Sequence, residues 1–422
     1  MSMLLKRRAY PMASSLLTLI ISLFSAGLLA DPNFSYSGFG TLGFSFEEEN
    51  HLALLRDSTQ NKNPDKDVSF QSDSQLGLQF SYRFSPQWQA TTQFVLADKV
   101  DSSLDAATEW AFIGYSPLPD IDIRAGRLSL DMFMLSDYRR VDYVNPWIRP
   151  PRELYAWITP YSIDGVDIAK SISTKNVFWR LKAQYGASQP TIETPEGKTR
   201  LETELNEFLV LALTGETGNW EGRISYARFT TAKSSPGFLP ALSGIGMSPG
   251  PLGEEASYLA NTLSASSERH VSYWQLGAGY DDGRWQFHSE LARLSSASAL
   301  LPTGSSGYLS AGLRIDDLIP YLSYSRFKPD RDPFTSSADW NAIPEISGLR
   351  DAALGVLNGP MINQQTVSLG IRWDLARRMA VKAQWDHTKL EANGYALWAF
   401  DSDAQLSDRT VNVVSLAFNF IF

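Results

Sequence analysis

The 422-residue chain has no cysteine and only four histidines, and it carries fewer bases than acids. Without cysteine there can be no disulfide, thiolate metal site or cysteine nucleophile. His51, His270, His288 and His387 lie in no G-x-S-x-G setting and show no metal-ligand spacing. No phosphate-cradling glycine loop or EF-hand pattern is present. His288 shares a strand face with Glu290, an arrangement that suits an ion pair better than acid–base work. No catalytic residue, metal site or cofactor is therefore expected. The formal charge of −9 also argues against a nucleic-acid partner. Long apolar runs are missing too. Beyond residue 30 no stretch of eighteen apolar residues could span a membrane as a helix.

Residues 1–30 have the layout of a cleaved signal peptide: a basic start "MLLKRRAY", the apolar "ASSLLTLIISLFSAGLL" and a small residue, Ala30, before the cut. A membrane-anchoring helix is the competing reading. Cleavage removes Lys6, Arg7 and Arg8 and no acid, so three positive charges leave and −9 becomes −12. Residues 31–422 are expected to form a single domain.

That remainder alternates with period two. In "FSYSGFGTLGFSF", Phe34, Tyr36, Leu42, Phe44 and Phe46 fall on one face, and Ser35, Ser37, Thr41, Gly43 and Ser45 on the other. "QLGLQFSYRF", "VFWRLKAQY" and "RMAVKAQWDH" behave alike, which is the mark of half-buried strands. About sixteen such segments can be counted, the least regular being Glu109–Ser116, Tyr161–Ser173 and Leu201–Thr214. Tight turns such as "SP" (85–86), "TK" (174–175) and "DDGR" (281–284) alternate with long polar stretches around 47–72, 99–106, 129–160, 188–200, 231–267, 296–306, 328–361 and 391–408. That asymmetry predicts an all-β fold: a transmembrane antiparallel β-barrel of about sixteen strands, with short periplasmic turns and long extracellular loops. Trp88, Trp110, Trp220, Trp285 and Trp373 are expected near the short turns as an interfacial belt. A soluble β-sandwich explains strands and turns but not the alternating loop lengths.

The chain ends "VNVVSLAFNFIF", with Leu416, Phe418, Phe420 and Phe422 on one face. In this it resembles bacterial outer-membrane porins, whose closing strand ends in an aromatic residue. The resemblance implies a passive diffusion channel for small hydrophilic solutes or ions, a homotrimer, and surroundings of outer-membrane lipid and lipopolysaccharide. It also implies that the third long loop, 129–160, folds into the barrel. That loop carries Asp131, Asp137, Asp142 and Glu153 against Arg139, Arg140, Arg149 and Arg152, a balanced set suited to a charged constriction. A wet lumen would leave those charges solvated. The acidic tip motif of the family is absent from the loop. Packing of this loop against a neighbouring subunit is the plainer alternative.

Strand parity places Arg83, Arg124, Arg180, Lys182, Arg223, Arg372 and Lys382 on the pore wall. Asp122, Glu221, Glu290, Asp374 and Asp386 are the inward acids, and Arg124 and Arg180 are expected to face the acids of the third loop. Two further readings remain: a channel specific for an anion or carboxylate, and an adhesin whose function lies in loops 231–267 and 328–361.

Overall fold

The computed structural model describes residues 31–422 apart from 50, 63–67, 194–196, 198–199, 232–235, 266–269, 341–343, 402–403 and 405. The expected signal peptide lies outside the described residues. Sixteen antiparallel strands form one closed sheet: β1 (Phe34–Glu47), β2 (Gln75–Arg83), β3 (Trp88–Ala97), β4 (Thr108–Leu118), β5 (Ile121–Ser129), β6 (Ser162–Ser173), β7 (Phe178–Ser188), β8 (Leu205–Thr217), β9 (Trp220–Thr231), β10 (His270–Asp281), β11 (Trp285–Ser296), β12 (Gly304–Leu313), β13 (Leu318–Pro329), β14 (Ile362–Ala376), β15 (Met379–Tyr395) and β16 (Arg409–Ile421). Each strand pairs with its sequence neighbours, and β1 pairs with β16 from Phe39↔Ile421 to Glu47↔Val413. Closure leaves no edge strand to template aggregation.

The alternation read from the sequence sets which way side chains point. Leu42, Leu181, Leu291, Leu309 and Leu322 are exposed on the outside, whereas Ser45, Lys182, Ser310 and Ser323 are buried inside. An exposed apolar belt around a polar interior inverts a soluble barrel and fits a lipid surround. At the seam, Gly38 and Gly40 lie beneath the rings of Phe422 and Phe420, and a Cβ at either position would collide with the aromatic. Gly38 and Phe422 also exchange backbone hydrogen bonds of 3.0 and 2.9 Å, so the terminal residue is stitched into the barrel. Gly38→Val is expected to displace Phe422 and open the seam.

Two sequence expectations need correction. The strand expected over Leu201–Thr214 begins only at Leu205, because Arg200–Glu202 pairs with Thr191–Glu193 in a separate hairpin. A register shift follows between Asn206 and Leu209, where Glu207 has φ 54°. Trp88, Trp220, Trp285 and Trp373 are exposed near the short turns, as expected of an interfacial belt. Trp110 is not among them. It sits near the start of β4, after a long loop, opposite Gln93.

The long loops at the other end build three layers. Leu52–Leu54 of the first loop pairs with Trp398–Phe400 of the last. Helices α1 (Leu239–Ile245) and α2 (Pro251–Ala265) of the fifth loop pack with α3 (Pro344–Asn358) of the seventh around Leu259, Leu263, Trp340 and Leu357. The third loop makes its own core. Trp147, Ile148, Leu154 and Tyr155 are almost wholly buried, and Trp147, Leu154 and Tyr155 cluster with inward Phe208, Tyr273 and Tyr308 of the wall. Each such side chain contributes roughly 1.5–3 kcal/mol through burial, before the entropy of ordering the loop is counted.

Candidate functional site: the lumen and its third loop

The third loop runs across the inside of the barrel, held at successive points to different strands. Asp131, just after β5, lies 2.9 Å from Lys182 Nζ of β7 and 2.6 Å from Arg223 of β9. Burial alone raises the Asp131 carboxyl, but Lys182 and Arg223 outweigh it and hold the group well below the usual carboxylate range. Ser225 donates to the Met132 carbonyl at 2.5 Å. Further along, the Met134 N–H donates to Glu290 of β11 at 3.0 Å. Trp147 Nε1 reaches Ser310 of β12 at 2.8 Å, and Lys382 of β15 donates to the carbonyls of Asp142 and Trp147 at 2.6 and 2.7 Å.

Arginines dominate the middle of the loop. Arg149 makes a two-pronged contact with Asp73 at 2.9 and 2.6 Å and a third with Asp386 at 2.8 Å. Such bidentate pairing is the strong form of the interaction. Burial would raise the Asp73 carboxyl, and Arg149 more than offsets this. Asp142 accepts from Arg56 at 2.5 Å and from Thr41 and Gln75 at 2.8 Å each. Arg139 and Arg140 sandwich the Tyr161 ring, at 3.8 and 3.6 Å from its centroid, and Tyr161 donates to Asp57 at 2.7 Å. Cation–π contact therefore replaces much of their hydration.

Arg152 and Glu153, side by side in the loop, make no ion pair among the described residues. Arg152 stacks over Trp398 at 4.6 Å and donates to the Leu397 carbonyl. Burial lowers its pKa to about 10, only partly countered by Glu153. Glu153 accepts from Ser325, Gln364 and Thr366, none of them charged. Beside these two lies a cavity of about 20 Å³, bounded in part by Thr388 and Asp386.

The residues named from sequence are thus unevenly placed. Asp131, Arg139, Arg140, Asp142, Arg149, Arg152 and Glu153 come together, but buried rather than solvated: each is at most 7% exposed. The expectation of a wet constriction is corrected accordingly. Trp147, Leu154 and Tyr155 are buried beside them, so each charge is met by an ion pair, a carbonyl, a neutral donor or a ring instead of by solvent. Asp137 is exposed and accepts from Ser129. Of the wall bases, Lys182, Arg223, Arg372 and Lys382 reach the loop, Arg372 through the Tyr143 and Asn145 carbonyls. Arg124 and Arg180 do not pair with its acids. Arg124 instead bonds Asp167 at 2.5 Å, and Arg180 lies 3.7 Å from Asp122. Arg124 lies directly opposite Asp167 in the β5–β6 register, and Arg180 reaches across β6 toward Asp122 of β5. Arg83 is exposed at the short-turn end. Sequence reasoning missed Arg56, Asp57 and Asp73, which supply the first loop's counter-charges. The apolar "LALL" (52–55) inside a polar stretch is the one signal that part of that loop is buried.

A closed sixteen-stranded barrel with an apolar belt, a charged interior and loops of two lengths defines an outer-membrane-type transmembrane barrel. Solved structures agree on the fold. The chain is similar to OmpF of Salmonella typhi in complex with daunomycin, with TM-score 0.53, 11% identity and coverage of 92% of this chain and 97% of that one. It is also similar to the outer membrane channel DcaP of Acinetobacter baumannii, with TM-score 0.51, 10% identity and the same coverages of 92% and 97%. The anion-selective porin of Comamonas acidovorans gives TM-score 0.50 and 12% identity over 92% and 99%. The chain has the fold of Gram-negative outer-membrane porins. No protein-family model matches it, and neither does any curated protein.

Proposed function

We propose that this protein is an outer-membrane channel for small hydrophilic solutes or ions, in which residues 130–160 set the width of the passage. The observation that carries the reading is the third loop's attachment to β7, β9, β11, β12 and β15, which are spread around most of the wall. A loop so anchored leaves only narrow routes past it, and transport is governed by size and by the charges still facing water. Below the loop those charges are mixed: Arg180 and Asp122 are each nearly half exposed, and Arg314 pairs with Asp374 at 2.9 Å. The barrel is not an enzyme in this reading, needs no cofactor, and assembles as a homotrimer.

The dense packing favours a selective, low-conductance channel over an open sieve. Recording purified protein in a planar bilayer under a KCl gradient tests this. Small discrete steps, grouped in threes for a trimer, support the reading, and the sign of the reversal potential reports the preferred ion. Folded barrel that never conducts would overturn it and move attention to the outer loops.

A further inference from the structure

The outer face of the barrel changes character near the long-loop end of β12–β15. Register defines rows across that face, because directly paired residues share a side of the sheet. One row, Leu309–Tyr324–Val367, is apolar and exposed. The next row outward places Gly307, Arg326, Gln365 and Lys389 side by side. The row beyond it holds Arg293, Ser305 and Lys328. Successive rows are about 7 Å apart, two strand residues. Along β12–β15 the basic rows therefore lie on the long-loop side of the exposed apolar row.

The cations differ in how they are used. Arg293 pairs with Asp330 at 3.1 Å, and Lys389 with Glu391 at 3.3 Å. Arg331 donates to the Leu357 and Ala299 carbonyls. Arg326 and Lys328 make no ion pair or side-chain hydrogen bond among the described residues, and both are exposed. They border a cleft of about 370 Å³ whose far side is formed by Met361, Asn363 and Ala392. Gly307, beside Arg326, adds no side chain to crowd it. Among the described residues Asp332 is the one acid lining the cleft without an ion pair, so the two free bases and Arg331 outnumber it.

We infer that this cleft binds the phosphate-bearing headgroup of an outer-leaflet lipid, with Arg326 and Lys328 as the phosphate contacts and the acyl chains lying along Tyr324, Val367 and Leu322. Basic clusters at membrane depth attract anionic headgroups, and an unpaired guanidinium takes phosphate bidentately. The inference rests on the reading of the chain as a membrane-spanning barrel and deepens it by assigning a lipid site.

The test reconstitutes the protein in phosphatidylcholine vesicles doped with spin-labelled phosphatidic acid or, in parallel, spin-labelled phosphatidylcholine. Electron spin resonance reads the fraction of label immobilised at the barrel. The inference predicts preferential immobilisation of phosphatidic acid, reduced on the order of tenfold in Arg326→Gln/Lys328→Gln at low salt. It also predicts the same reduction with excess unlabelled phosphatidic acid, but not with millimolar inorganic phosphate. Preference unchanged in the double variant overturns it, as does equal competition by free phosphate. Bilayer conductance of the same preparations separates the two failures: a variant that still forms channels but keeps its lipid preference refutes this site alone, whereas protein that never inserts refutes the barrel reading.

Discussion

Two buried acids meet the third loop, and they are held in opposite ways. Asp73 is gripped by Arg149 and lies 3.5 Å from Arg56, all three nearly inaccessible. Glu290, fully buried, accepts from Gln275, Tyr308, Tyr155 and the Met134 N–H, and no base among the described residues lies within ion-pair distance. In the first region stability depends on keeping charges matched. In the second it depends on neutral donors converging on one carboxylate. Removing one member of the first set strands a buried charge, whereas the second tolerates an uncharged acceptor of the same shape.

The largest expected effect follows from that contrast. Asp73→Leu leaves Arg149 with Asp386 as its one acid beside the Ser415 hydroxyl and deprives Arg56 of one of its two acids, at a cost of about 3–5 kcal/mol. Equilibrium unfolding in lipid vesicles measures the loss, and channel conductance should rise as the loop loosens. The double variant Asp73→Leu/Arg149→Met should recover much of the stability, since no orphan charge remains. Unaltered stability in the single variant would show that the cluster is not a matched set.

Glu290→Gln sharpens the other side of the comparison. The amide keeps an acceptor for Met134 and the tyrosines, whose hydroxyls can turn to accept from its NH₂ group. A cost below about 1.5 kcal/mol is expected by the same unfolding measurement. A loss as large as that of Asp73→Leu would erase the distinction between the two regions.

Glu255, only partly buried, supplies a third kind of acid on the helical cap of the fifth loop. Burial raises its carboxyl, but donation from Ser336, the Ser337 and Ala338 N–H groups and Trp340 brings it down from 4.5 to about 2. A depressed carboxylate stabilises the fold above its unfolded value and loses that contribution as pH falls through the folded one. The cap joining α2 to the seventh loop should therefore loosen between about pH 4.5 and pH 2. Hydrogen exchange of residues 336–340 checks this, and Glu255→Gln should abolish the pH dependence.

The smallest structural effect is expected at Arg180, whose pair with Asp122 at 3.7 Å is about half exposed. Arg180→Gln should change stability by less than about 0.5 kcal/mol. It should still shift the reversal potential toward cations, because that charge faces water.

How far the sequence could be read differs between the wall and what fills it. Strands were legible because Leu181/Lys182 or Phe44/Ser45 alternation is imposed by two solvents, lipid outside and polar interior within. Loop lengths revealed the topology. The belt position of Trp110 was misread because nothing local says which end of a short strand faces a long loop. The partners of Asp131 and Asp142 were illegible for a different reason. Lys182, Arg223 and Arg56 reach them by the path of the third and first loops through space, and period-two parity reports which face a residue occupies but not what a loop brings against it. Burial of Arg149 and Arg152 was missed on the same ground, because their solvation depends on Trp147 and Tyr155 packing against the wall.

The most direct test of the account replaces residues 131–158 with a short glycine–serine linker and compares single-channel conductance with that of the intact chain. If the third loop sets the passage, conductance should rise severalfold and ion selectivity should weaken as the lumen opens. Equal conductance in two folded, inserted barrels would contradict the claim that this loop governs transport.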